Sequence, residues 1–238
     1  MSKKKGNHME SLFEEEYFEE IKEFYLPYFD SLNEVESFIN NVFNLDWDER
    51  KPRQMIFQVQ RFVSLANEID KIRPSRDGLR MLFLKCCMES LAKLGGIDNL
   101  TFSKTFADSF SEKGKKYILS NFSLSYYTYE IKGREYERSY ELNINDFLWI
   151  IKVMRDMVAH EGNYWDMQIF AYDKDSIWLP HIESTEEIIP KSIYPNKDKI
   201  KTTYHFETTL QYDKFIYYFV EACMNFICNY IDKTEDRQ

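Results

Sequence analysis

The chain of 238 residues is 44% hydrophobic and 17% aromatic, which is enough apolar surface to bury a core and excludes a disordered or fibrous protein. Its formal net charge of −9 argues against a protein coated in positive charge for nonspecific nucleic-acid binding. The chain has only 7 glycines and neither a G-x-x-x-x-G-K nor a G-x-G-x-x-G motif, so we exclude a phosphate-cradling glycine loop.

Hydrophobic periodicity predicts helices throughout the first hundred residues. Apolar side chains at three- and four-residue spacing predict helices over residues 11–26, 34–43, 54–71 and 79–94. Pro27 and Pro74 mark the ends of the first and third helices, and Gly95 with Gly96 ends the fourth. The first helix carries an acidic face, because glutamates fill most of its remaining positions.

The second half of the chain mixes helices with less regular segments. We expect one or two short helices over 99–122, then an extended hairpin or a long mobile insertion over 125–142. A helix capped by Asn143 or Asn145 ends by Gly162, loops with a few short strands fill 165–206, and a last helix covers 212–231.

These elements predict a mainly α protein with irregular or short β insertions near 123–142 and 163–209. Residues 1–10 read as a flexible tail, and residues 11–238 read as one domain, since no linker divides them. Antiparallel packing is expected where the connections between helices are short.

Cysteine usage and hydropathy predict a cytoplasmic protein that does not enter a membrane. Cys86, Cys87, Cys223 and Cys228 match no zinc-ligand spacing and lie in apolar, helical text, which favours a reducing compartment. No stretch approaches 18 uncharged apolar residues, and no secretory signal opens the chain. Asp173 and Asp175 lack a third ligand, so we predict no metal site and no cofactor.

Positive charge is concentrated in one segment. Residues 50–93 contain ten basic and four acidic side chains, so this segment is +6 and the rest of the chain is −15. One interpretation is that these charges form the solvated faces of two helices. The other is a local basic strip, in which Arg73, Arg76 and Arg80 follow a nucleic-acid backbone.

Only His160, of the four histidines, belongs to a motif. His8 lies in the tail, and His181 and His205 have no partner at ligand spacing. His160 closes the run Arg155-Asp156-Met157-Val158-Ala159-His160 at the end of an apolar helix. On a regular helix Asp156 and His160 share a face, whereas Arg155 and His160 are separated by about 140°. One structural reading is that Arg155 and His160 stabilise a helix C-terminus through the helix dipole.

This motif resembles the signature of the HEPN superfamily, the higher eukaryote and prokaryote nucleotide-binding domain. That signature is an Arg, often followed by Asn, Asp or His, with a His after four to six further residues. Arg155, Asp156 and His160 match it, with Asp156 in place of the commoner Asn. The run Met88 to Lys93 in the predicted helix 79–94 loosely resembles the acid-bearing core helix of many members.

The resemblance implies a HEPN-like helical bundle and a metal-independent endoribonuclease, typically a toxin or defence effector held in check by an antitoxin or sensor. His160 would be the general base or acid, Arg155 would stabilise phosphate charge, and Asp156 would orient His160 or a partner. A two-fold interface between two copies would bring two motifs together, so we expect a homodimer that cleaves RNA to 2′,3′-cyclic phosphate ends.

Several alternatives stay open at this stage. Tyr164 and Trp165, just after the motif, are candidates for stacking on RNA bases, although aromatic residues after a helix also commonly belong to the core. A non-catalytic HEPN-like dimer that binds RNA or a regulatory protein is the alternative function. The acidic first helix suggests an autoinhibitory or partner-binding element that mimics the charge of RNA.

Overall fold

The computed structural model describes residues 18–44, 50–73, 76–131, 133–161, 168–171, 181–184 and 202–235. Within these ranges the protein is mainly helical and contains a small antiparallel sheet. The predicted tail at residues 1–10 lies outside the described residues.

The first half of the described chain is entirely helical. It runs as α1 (residues 18–25), a 3-10 turn (Leu26–Tyr28), α2 (Leu32–Phe43), α3 (Lys51–Ile72), α4 (Asp77–Gly95), α5 (Asn99–Ser109) and α6 (Glu112–Asn121). The 3-10 turn follows α1 at Pro27, which lacks an amide hydrogen to continue the α-helix. The Ser31 side chain caps α2, and Gly96 ends α4 in the left-handed conformation, with φ of 64°.

The second half alternates strands with two long helices. Its elements are β1 (Phe122–Ile131), β2 (Arg134–Arg138), α7 (Ile144–Glu161), β3 (His181–Ser184), β4 (Thr202–Thr208) and α8 (Tyr212–Glu235). Gly133, with φ of 73°, lies between β1 and β2 and makes this a hairpin. Asn143 is the cap of α7, because its Oδ1 accepts hydrogen bonds from the backbone amides of Asn145 and Asp146.

The two predicted insertions meet in one sheet. Four strands pair antiparallel in the order β2-β1-β4-β3, so β1 pairs with β4 across about 80 positions of sequence. A bulge between Leu124 and Tyr126 shifts the register of that pair. One face of β4, with Tyr204 and Phe206, is buried, and the alternate side chains are half-buried or exposed.

Helix α7 connects this sheet to the helical layer. The Phe147 ring lies 5.2 Å from the ring of Phe122 in β1 and 5.7 Å from that of Phe215 in α8, centroid to centroid. All three rings belong to a continuous apolar core that includes residues of every helix from α2 to α8. The position of α7 is therefore set on both sides by aromatic packing.

The four cysteines, predicted to lie in apolar helical segments, differ in their burial. Cys87 and Cys223 are buried as small apolar residues, Cys86 is half-buried and Cys228 is exposed, and all four are free. None of the helices in the described ranges has both the length and the apolarity needed to cross a bilayer.

Candidate functional site

Helix α7 presents one polar stripe beside its buried faces. Trp149, Lys152, Asp156 and His160 follow one another at spacings of three, four and four, which puts them on a single face of an α-helix. Most of the remaining α7 side chains are buried, among them Phe147, Ile150, Ile151, Val153, Met154 and Val158. The predicted site residues thus lie on a helix whose orientation the core determines.

Arg155 lies at the edge of this stripe and faces α4. Its Nη2 forms an ion pair with Oε1 of Glu89, and its Nε lies 3.0 Å from Oδ1 of Asp156. The Arg155 side chain is 21% exposed, so water reaches it although both carboxylates neutralise it. The Arg155–Glu89 pair therefore connects α7, which carries the motif, to α4, the helix that resembles the acid-bearing core helix in the sequence.

Two lysines extend this pair into a larger group. Lys152 Nζ donates to Asp156 Oδ2 at 2.9 Å and lies 4.4 Å from the centre of the Trp149 ring. Lys85 Nζ lies 3.9 Å from Glu89 Oε1, the same oxygen that contacts Arg155. The α4–α7 charge cluster therefore consists of Lys85, Glu89, Lys152, Arg155 and Asp156, with three cations against two carboxylates.

Lys85 is the least accessible member of the α4–α7 charge cluster. Its side chain is only 7% exposed, and burial lowers its pKa below the ordinary value of 10.5. Glu89 opposes this change, whereas the positive charges of Arg155 and Lys152 lower the pKa further. Burial is the largest cause of the lowered pKa, so the shift reflects mainly the limited access of water to the Lys85 ammonium group.

His160 is exposed in the last turn of α7. It is four positions from Asp156 and on the same face, whereas it is turned by about 140° from Arg155. A single copy of the chain therefore does not place the imidazole against the Arg155 guanidinium. The exposed position leaves His160 accessible to a ligand or to another protein chain.

The three arginines predicted to line an RNA path occupy different environments. Arg73 is exposed and Arg76 is half-buried, but Arg80 is buried. The Arg80 guanidinium pairs with Asp70 and, at 3.1 Å, with Asp77, and it lies 4.0 Å from the centre of the Tyr212 ring. These contacts give Arg80 a place in the core, so its predicted role along an RNA backbone does not fit its position.

The predicted arginines also lie far from the motif. Arg76 precedes α4 and is 13 positions from Glu89, which corresponds to about 20 Å along a helix. The structure therefore does not bring Arg73 and Arg76 into the α4–α7 charge cluster. Tyr164 and Trp165 lie outside the described residues.

Sequence reasoning missed Lys85 and Lys152 as members of the candidate site. The available signal was their spacing, because Lys85 is four positions before Glu89 and Lys152 is four positions before Asp156. Such pairs are common on solvated helix faces, so the spacing alone does not distinguish a site from a surface. The contact between α4 and α7 makes the distinction.

In the described part of the chain, no group of three or more His, Cys, Asp or Glu side chains is arranged to hold a metal ion. Comparison with models of protein families, with curated proteins and with solved structures finds no match for this chain. The interpretation of its function therefore depends on the geometry of α4 and α7.

Proposed function

We propose that this protein is a metal-independent endoribonuclease of the HEPN type, built on a HEPN-like helical bundle. The observation that carries the proposal is the ion pair between Arg155 and Glu89. It joins the Arg of the motif to an acid on the helix that resembles the acid-bearing core helix of the family. Two separate elements of the resemblance are thus in direct contact, although they are 66 positions apart.

The chemistry follows from the kinds of side chain in the motif. The 2′-hydroxyl oxygen of RNA attacks the adjacent phosphorus, the bond to the 5′-oxygen breaks, and a 2′,3′-cyclic phosphate forms. One proton leaves the 2′-hydroxyl and another is delivered to the departing 5′-oxygen. Imidazole suits both transfers, because its ordinary pKa is near neutrality. Arg155 stabilises the charge on the phosphate through its planar fork of donors.

A dimer supplies what one copy lacks. His160 and Arg155 are turned apart on α7, so one chain does not offer the imidazole and the guanidinium together. A two-fold interface at the end of α7 brings together two motifs, in which the two copies of His160 divide the two proton transfers. In a cell, such an activity suits a toxin or defence effector restrained by an antitoxin or regulatory protein.

RNA cleavage in excess chelator tests the proposal. Purified protein should cleave single-stranded RNA to cyclic-phosphate ends, and both Arg155→Ala and His160→Ala should lower the rate by a factor of about 100 or more. His181→Ala and Arg134→Ala are matched controls, because both residues are exposed on the sheet, and each should retain the activity. Cleavage that persists undiminished in Arg155→Ala and His160→Ala would show that this site is not responsible.

One observation favours a second candidate, a non-catalytic dimer that binds RNA or a regulatory protein. Arg155 is neutralised by Glu89 and Asp156 rather than presented freely to a phosphate. A protein of this second kind would release no cyclic-phosphate product in the same experiment, whether its ligand is RNA or a regulatory protein. The cleavage assay thus separates the two candidates.

A further inference from the structure

Two cations share one carboxylate oxygen in the α4–α7 charge cluster. Glu89 Oε1 is paired with Arg155 and lies 3.9 Å from Lys85 Nζ. Lys152 is next to this group, since both it and Arg155 contact the carboxylate of Asp156. The glutamate oxygen thus occupies a position where positive charge from both helices converges.

The charges of the α4–α7 charge cluster differ in their access to water. The Glu89 side chain is 33% exposed, so its carboxylate can be hydrated if it leaves the cations. The Lys85 side chain is 7% exposed and has no comparable access. A buried ammonium group without a counterion is costly, so the site favours an anion even when Glu89 has moved away.

We propose that Lys85, Lys152 and Arg155 form a binding site for a backbone phosphate of single-stranded RNA, and that Glu89 is an internal competitor that RNA must displace. The identification of RNA as the ligand rests on the proposed function. Lys85 and Lys152, and the competition by Glu89, go beyond the motif. Phosphate oxygens accept several charge-assisted hydrogen bonds at once, which suits a site with three cationic donors.

Competition predicts that a loss of charge at Glu89 strengthens binding. The glutamine of Glu89→Gln has nearly the same shape but no charge, so it competes weakly for the three cations. The affinity for RNA should rise by about fivefold, the size of a coupling near 1 kcal/mol. A purely structural role for Glu89 predicts the opposite, because a disrupted cluster would bind RNA less well.

The measurement is fluorescence anisotropy of a labelled 2′-O-methyl RNA oligonucleotide at several salt concentrations. This probe cannot be cleaved by attack of a 2′-hydroxyl, so binding is measured without turnover. Lys85→Met keeps the length and apolar stem of the side chain and should reduce the salt dependence by about 0.7 in log–log slope, the value for one lost phosphate contact on a single strand. Lys85→Arg should restore it.

Glu68→Gln is the matched control for the change in net charge. Glu68 lies on the adjacent helix α3, where it is exposed and pairs with Lys71 at 2.7 Å. This variant removes the same unit of charge outside the α4–α7 charge cluster, so its affinity should change by less than about twofold.

Two results would overturn the phosphate site: equal affinities for Glu89→Gln and Glu68→Gln, or a salt dependence that Lys85→Met leaves unchanged. Lys152→Met, at a more exposed position, replaces Lys85→Met if urea unfolding shows that the latter is not folded.

Cleavage of ordinary RNA is measured in parallel. If Glu89→Gln binds RNA more tightly but the unmodified protein cleaves no RNA, the ribonuclease proposal is refuted and the phosphate site is retained. If the unmodified protein cleaves RNA but Glu89→Gln binds it no more tightly, the phosphate site is refuted and the ribonuclease proposal is retained.

Discussion

The carboxylate of Asp77 is fully buried in the first turn of α4 and bonds to three donors. Its Oδ2 accepts from the backbone amides of Ile169 and Phe170, both at 2.9 Å, and its Oδ1 accepts from Arg80 at 3.1 Å. These bonds attach the segment at residues 168–171 to α4. Asp77 therefore fixes the position of residues 168–171, which follow α7 in the chain. Arg80 is the counterion of Asp77 rather than a surface charge.

Asp77→Asn should destabilise the fold by about 2 kcal/mol at neutral pH, because asparagine has only one acceptor oxygen, so either Arg80 or the two backbone amides would face its NH2 group. The penalty should depend on pH. Burial raises the pKa of Asp77 above its ordinary value of 3.8, and the bonds from Phe170, Arg80 and Ile169 only partly oppose this. The folded state thus binds the Asp77 proton more tightly than the unfolded chain does, and Asp77 contributes more stability below its folded pKa than above it.

The free energies of urea unfolding of the unmodified protein and of Asp77→Asn, compared between neutral pH and about pH 4, check this sign. The gap between the two proteins should widen on acidification, because asparagine does not titrate. A gap that narrows would mean that the folded pKa of Asp77 lies below 3.8. Asp108→Ala, at an exposed position of α5, controls for loss of a carboxylate and should change stability by less than about 0.5 kcal/mol.

Helices α6 and α8 approach each other closely at one glycine. A Cβ atom at Gly114 would lie 3.1 to 3.2 Å from three atoms of Tyr218, which is closer than ordinary van der Waals contact. Gly114 has no unusual backbone angle, so the contact rather than the conformation selects glycine here. The packing of α6 on α8 thus depends on the absence of a side chain.

Gly114→Ala should destabilise the protein by about 1 kcal/mol, because overpacking of 1 to 3 kcal/mol outweighs the gain in helix propensity. In a Tyr218→Ala background the same change should cost less, since Cδ1 and Cγ are removed and only the Cβ contact at 3.2 Å remains to oppose the propensity gain of about 1 kcal/mol. Thermal unfolding of the four proteins measures both effects. The same loss in both backgrounds would show that the Tyr218 contact is not the cause.

The periodicity of single elements made most of the helices predictable. Leu32–Phe43 buries Val35, Phe38, Ile39 and Val42, as its apolar spacing indicated. Of the two caps predicted for α7, Asn143 is the one that the structure shows. Glycine and proline placed the ends of α1 and α4 correctly. These features depend on neighbours within one or two turns, so the local sequence contains the information.

The proposed catalysis requires two copies of the chain to associate as a dimer. Light scattering should give a mass near twice the 28.8 kDa of one chain. An excess of the inactive His160→Ala protein should then lower the activity of the unmodified protein, because mixed dimers hold only one of the two imidazoles. An equal excess of an unrelated protein should leave the activity unchanged. A monomeric mass together with full activity in the mixture would contradict a shared site.

The sheet was not predictable as a unit. The sequence indicated an extended hairpin or a long mobile insertion over 125–142 and short strands within 165–206, but it contained no sign that β1 pairs with β4. Strand pairing across about 80 positions depends on how α7 and α8 pack against the sheet, since Phe147 contacts both Phe122 and Phe215. Two segments that looked like separate insertions therefore form one structure.

The sequence by itself determined the mainly helical class, the ends of most helices and the motif Arg155-Asp156-His160 near the end of α7. Each of these is local, because spacing, caps and breakers act over a few residues. Only the tertiary structure decided that Arg155 pairs with Glu89, that Lys85 and Lys152 complete the charge cluster, and that Arg80 is buried. The sequence does not distinguish a charged residue that faces water from one that faces another helix. For Arg80, Lys85 and Glu89, the packing of α4 against α7 and α8 determines which of these environments is present.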